Sequence, residues 1–140
     1  MEIYVNESDM TFWKVVMDGP LATPYERGVF VLYVHMTGDF PQVSPVIRFI
    51  TPILHPNVTK HGRICHGVLS DGWKPSYHIY DVLQHIFGLL TSPETEDAVD
   101  ELATLKFWTD RETADTEIRK YVEKFATKSR AEWKADILNH

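Results

Sequence analysis

One sulfur sets the chemistry this chain can offer. Cys65 is its single cysteine, and a thiolate is a strong nucleophile where a hydroxyl is not. It lies in Gly62-Arg63-Ile64-Cys65, between His55-Pro56-Asn57 and Trp73-Lys74-Pro75. A lone cysteine is also commonly a small buried filler. The glycine-flanked setting of Cys65, outside any apolar period, weakens that reading. Asn57 offers a fixed amide donor for the oxyanion of acyl transfer. Asparagine after proline more commonly closes a turn, and on residue type alone the turn reading is the stronger. His55 and His66 are the neighbouring candidate bases. Adjacent side chains in an extended chain point to opposite faces, so His66 is poorly directed at Cys65. His55, flanked by proline, reads as a structural residue that shapes the loop. His55, His61 and His66 with Cys65 lack the paired spacing of a zinc site, and no metal is expected. The acids Glu94, Glu96, Asp97, Asp100 and Glu101 suit a solvated helix start. A chemical role for Asp97 requires it to face Cys65, which spacing does not show.

The elements around these residues are legible in part. Thr11–Met17, Val29–Met36 and Val46–Thr51 are runs of β-branched and aromatic residues bounded by glycine and proline. Val29–Met36 is apolar on both faces except at His35, which predicts a central, buried strand. Residues 1–6 predict a short edge strand. Short turns between them predict an antiparallel meander of about four strands. From Pro52 to Tyr77 no period holds, and an irregular stretch of that length is usually functional. Ile79, Val82, Leu83, Ile86, Phe87 and Leu90 recur at helical spacing, and Ser92-Pro93 ends that helix. A short helix with Leu102 and Leu105 is predicted next. Thr109 and Glu112 form a capping-box pattern. It predicts one long C-terminal helix from about residue 110, with Ala114, Ile118, Tyr121, Val122 and Phe125 inward and a more polar tail. Strands, an irregular active-site segment and then helices make an α+β chain.

Composition narrows the class. A chain of 140 residues is a single domain, and a domain of this size buries about 70% of its unfolded surface. With 44% apolar and 24% charged residues it matches a soluble globule. There are 14 basic and 20 acidic side chains, a net charge of −6, which argues against nucleic acid as the main partner. No apolar run approaches a membrane span, and the start has no signal-peptide pattern. A single thiol cannot form an internal disulfide, so a reducing intracellular compartment is expected. Unaided, the residues reach an α+β domain with a cysteine site. A cysteine hydrolase pairing Cys65 with a histidine remains an open reading.

Taken in order from Phe12 to Phe125, the motifs resemble the ubiquitin-conjugating enzyme family. They are Gly19-Pro20, Thr23-Pro24-Tyr25-Glu26, Gly28-Val29-Phe30, Asp39-Phe40-Pro41, Pro45, Phe49, the signature triplet His55-Pro56-Asn57, Gly62-Arg63-Ile64-Cys65, Trp73-Lys74-Pro75, Ser92-Pro93 and Asp97. The resemblance implies one conjugating domain over residues 1–140, of cytoplasmic or nuclear location. It implies a transferase in which Cys65 takes ubiquitin or a ubiquitin-like protein from an activating enzyme as a thioester. The modifier then passes to a substrate lysine, usually with a ligase. Asn57 would stabilise the oxyanion or order the nearby loop. Asp97 would orient and deprotonate the lysine. His55 and Pro56 would be structural. Phe40, Pro41, Gln42, Pro75 and Ser76 would form the ligase contacts. No cofactor is implied, since ATP is used by the activating enzyme only. The chain departs from the family pattern at three places. It begins close to its first strand, without the usual basic helix, which is expected of a trimmed chain, a piece of a longer protein or a divergent member. His66-Gly67 replace the leucine and aspartate that usually follow the cysteine. Gln42 and Gln84 stand where an aromatic and an apolar residue are usual. The rival implied by the same fold is a non-catalytic adaptor.

Overall fold

Strands form where the β-branched and aromatic residues run. The computed structural model describes residues 1–94 and 106–139. Strands β1 (Glu2–Val5), β2 (Phe12–Asp18), β3 (Val29–His35) and β4 (Val46–Phe49) precede a 3-10 turn at Gly67–Leu69. Helices α1 (Ile79–Thr91), α2 (Arg111–Phe125) and α3 (Arg130–Leu138) follow, and residues 106–109 are also helical. The strands make one antiparallel sheet in the order β1-β2-β3-β4. The α+β meander expected from the sequence is therefore present.

Register decides which side chains meet. Val15 pairs with Leu32, Leu32 with Phe49, and Val34 with Ile47. Directly paired residues share a face, so these side chains form one apolar layer. Val82, Leu83, Ile86, Leu89 and Leu90 of α1 join the same core cluster. The opposite face is apolar at the centre too, where Val16 and Val31 are buried. That explains why β3 shows no clean alternation.

The C-terminal region differs from the single long helix read from the sequence. It breaks between Phe125 and Arg130. Ala126 is buried, and its carbonyl accepts a hydrogen bond from the Val29 amide at 3.0 Å. That bond to β3 takes the backbone out of the helix. Ser129 and Glu132 then form a reciprocal capping box that starts α3. The cap of α2 is Asp110, whose side chain accepts from the Thr113 amide at 3.2 Å, and not Thr109. Ala114, Ile118 and Val122 face inward as read, whereas Phe125 is exposed. Burying one aliphatic side chain stabilises by roughly 1.5–3 kcal/mol. Helix α1 buries six residues and α3 buries none fully, with Trp133 and Ile137 only partly covered, so α3 adds little to the core. Arg130 donates to Glu2 at 2.9 Å and to Asp18 at 2.7 Å, which ties α3 to β1 and β2.

The short helix with Leu102 and Leu105, and the acids Glu96, Asp97, Asp100 and Glu101, lie outside the described residues.

Candidate active site

The segment that carries Cys65 is irregular because it is pinned from several sides at once. Gly62 begins it at φ +86°, a conformation that favours glycine. A Cβ there would lie 2.1 Å from the Phe49 carbonyl oxygen. The close approach lets the Phe49 amide donate to Gly62 O at 2.9 Å. The loop thereby continues the edge of β4, with Arg48 and Arg63 bridged. Ile64 is buried and bridges to Val58. The Cys65 amide donates to the Asn57 carbonyl at 2.7 Å. Cys65 itself is a free, partly exposed thiol.

His55 anchors the other half of the loop. It is buried, and its Nδ1 accepts from the Asn57 amide at 2.9 Å. The hydrogen-bond network therefore assigns the ring proton to Nε2, which donates to the Leu89 carbonyl at 2.6 Å. Burial pushes the His55 pKa down from 6.5 to about 4, only partly countered by the bond to Leu89. A neutral ring with both nitrogens bound to backbone has no nitrogen left to act as a base. The Tyr25 hydroxyl donates to Leu54 O at 2.7 Å beside it, and burial pushes that phenol's pKa up.

Asn57 is completely buried. Its Nδ2 donates to the Glu94 carbonyl at 2.8 Å, and its Oδ1 accepts from the Glu94 amide at 2.9 Å. Its amide is thus spent on the chain leaving α1, while its own carbonyl holds Cys65. The turn-closing reading of Asn57 describes half of this. The 37-residue reach to Glu94 has no local signal in the sequence.

His66 accepts at Nδ1 from the Val68 amide at 3.0 Å and caps the 3-10 turn. Its ring lies 6.0 Å from that of His85 on α1, a neighbour that sequence reading did not single out. Two further segments meet nearby. The Trp73 indole donates to Pro41 O at 2.9 Å, and its ring lies 6.0 Å from Phe40. Pro41, Gln42, Pro75 and Ser76 are exposed, so the two predicted ligase-contact segments share one surface. Among the described residues no three His, Cys, Asp or Glu side chains gather to hold a metal ion. No helix among them is long and apolar enough to cross a membrane. Asp97 lies outside the described residues.

A four-stranded meander backed by a buried helix, with a partly exposed cysteine in a loop stapled by His55 and Asn57, defines a class. The ubiquitin-conjugating enzyme family model matches residues 1–122, and the chain belongs to that family. It is 39% identical over 137 residues to the "Probable bifunctional E2/E3 enzyme" of Acanthamoeba polyphaga mimivirus, covering 98% of this chain and 11% of that protein. It is 42% identical over 103 residues to "Ubiquitin-conjugating enzyme E2 S" of Drosophila erecta, covering 74% of this chain and 49% of that protein. The chain therefore spans about half, or far less, of the length of these relatives.

Proposed function

We propose that Cys65 carries ubiquitin or a ubiquitin-like modifier as a thioester. The thiolate attacks the activating enzyme's thioester carbonyl, a new C–S bond forms, and the activating enzyme's thiol leaves. A substrate lysine amine then attacks. An amide C–N bond forms, the C–S bond to Cys65 breaks, and the amine gives up its proton. Thioester exchange is nearly balanced, whereas amide formation runs downhill. The observation that carries this reading is the placement of Cys65: a partly exposed thiol whose backbone is fixed by the buried Asn57.

Of the two roles open to Asn57, its paired bonds to Glu94 favour loop ordering over oxyanion donation. Asp97 takes the role of orienting the lysine, whose amine must also be desolvated to lose its proton. Phe40, Pro41, Gln42, Pro75 and Ser76 form the ligase surface. No cofactor is used by this chain, ATP being consumed by the activating enzyme. Its setting is the cytoplasm or nucleus. The test is incubation with activating enzyme, ATP and tagged ubiquitin, read on a non-reducing gel. A thiol-sensitive adduct is expected with the wild type, and a stable ester or none with Cys65→Ser. No adduct with ubiquitin or any relative would sink the reading, and retained ubiquitin or ligase binding would then favour the adaptor.

A further inference from the structure

We propose that His66 is the positioning residue for Cys65, its unprotonated Nδ1 holding the turn that follows the nucleophile. The proposal rests on the thioester reading above.

His66 occupies extended backbone (φ −147°, ψ 138°) immediately before the 3-10 turn. Its Nδ1 accepts the Val68 amide at 3.0 Å, which is what a capping side chain does for an otherwise unpaired helix-start donor. Its own carbonyl accepts from Leu69 at 3.0 Å, and Gly67 O accepts from Gly72 at 2.8 Å. At the far end Leu69 O accepts from the Ser44 hydroxyl at 2.9 Å, and Val68 is buried in the core. The turn is thus moored to the β3–β4 connection beyond Cys65 and to His66 beside it. On its other side Cys65 is held through its amide to Asn57 O and through the buried Ile64 before it, which bridges to Val58. Releasing the His66 side chain removes the tie of that turn nearest the nucleophile on its carbonyl side.

This mooring is conditional on protonation. The lone pair that binds Val68 is the site of a second ring proton, so the imidazolium cannot cap the turn. His85 on α1 is the titratable group facing the ring, at 6.0 Å, and Cys65 is its chain neighbour. Among the described residues neither ring has a carboxylate partner in an ion pair. Asparagine at this position accepts the same amide without titrating.

The experiment compares the wild-type chain with His66→Ala and His66→Asn from pH 5.5 to 8.5. Thioester formation with excess activating enzyme and ubiquitin is one readout, and hydrogen exchange of the Val68 amide by NMR is the other. At pH 8, His66→Asn is expected to charge within about twofold of wild type and His66→Ala about fivefold more slowly, the usual worth of a capping side chain. On acidification the wild type is expected to fall relative to His66→Asn by a similar factor. That ratio cancels whatever pH dependence the two chains share, including that of the activating enzyme. Relative to His66→Asn at the same pH, the Val68 amide should exchange faster in His66→Ala throughout, and in the wild type only on the acid side. The proposal is overturned if His66→Ala charges like wild type, if the ratio is flat with pH, or if Val68 exchange is the same in all three. If none of the three charges, the thioester reading fails, while Val68 exchange still decides the cap.

Discussion

Asn57 shows how a single side chain can be read two ways, and how the two can be separated. A buried amide that donates to Glu94 O and accepts from Glu94 N–H organises the chain after α1. An oxyanion donor would instead act only when a carbonyl is under attack. Truncation distinguishes these. With Asn57→Ala the two Glu94 backbone groups lose their partner, and hydrogen bonds of this kind are worth about 1 kcal/mol each net. Thermal unfolding should therefore show a loss of about 2 kcal/mol, and thioester formation and discharge should slow together. Asn57→Asp keeps the acceptor but sets a carboxylate against the Glu94 carbonyl, so it should be at least as harmful. A variant with unchanged stability and a defect confined to discharge would instead assign Asn57 to the oxyanion.

The strands and α1 were legible because periodicity is a local signal. β-branched runs between turn residues placed all four strands within two residues of their observed ends, and helical spacing located α1. What the sequence concealed was long-range. The break after Phe125 depends on the Ala126–Val29 bond, a long-range contact, although Ser129 and Glu132 carry a local capping-box signal for the restart that the reading of one long helix passed over. The capping-box pattern at Thr109 failed because Asp110, one residue on, caps α2 itself. The Trp73–Pro41 and Asn57–Glu94 bonds join segments separated by more than thirty residues. The loop-shaping role of His55 was readable from its type and its proline neighbour, whereas the capping role of His66 needed the fold. At this scale the connection from β4 into the Cys65 segment offers a test. Gly62→Ala places a methyl 2.1 Å from Phe49 O at φ +86°. Strain of this kind costs about 1–3 kcal/mol before the clash is added. Unfolding should lose at least about 2 kcal/mol, and amide exchange at Phe49 should quicken more than exchange in α1. Equal protection at Phe49 would show that the loop is held without that close approach.

One of the ties between the loop and the core is a titratable ring, and pH reads that tie. His55 links the Asn57 amide to the Leu89 carbonyl near the end of α1, and burial holds its pKa at about 4 against an ordinary 6.5. The unfolded chain therefore binds a proton between those values that the folded chain refuses. Stability from the neutral ring is fully present above pH 6.5 and is lost as pH falls toward 4. A gap of this size corresponds to about 3 kcal/mol. The carboxylates Glu2, Asp9, Asp110 and Glu132 are also shifted, all downward by hydrogen bonds: Glu2 through Tyr4 and Arg130, Asp9 through Thr11, Asp110 through Thr113, and Glu132 through Ser129. Their contribution is lost only below their ordinary values of 4.5 for Glu and 3.8 for Asp, so acid unfolding should proceed in two stages. Denaturant titrations should show the first stage between about pH 6.5 and 4, before the carboxylates protonate. His55→Gln removes the strongly shifted ring, so it should be less stable than wild type at neutral pH yet lose most of the wild-type slope across that window. If His55→Gln keeps the wild-type slope, the pH dependence comes from other groups, and the ring is not what ties the loop to α1 through its protonation state.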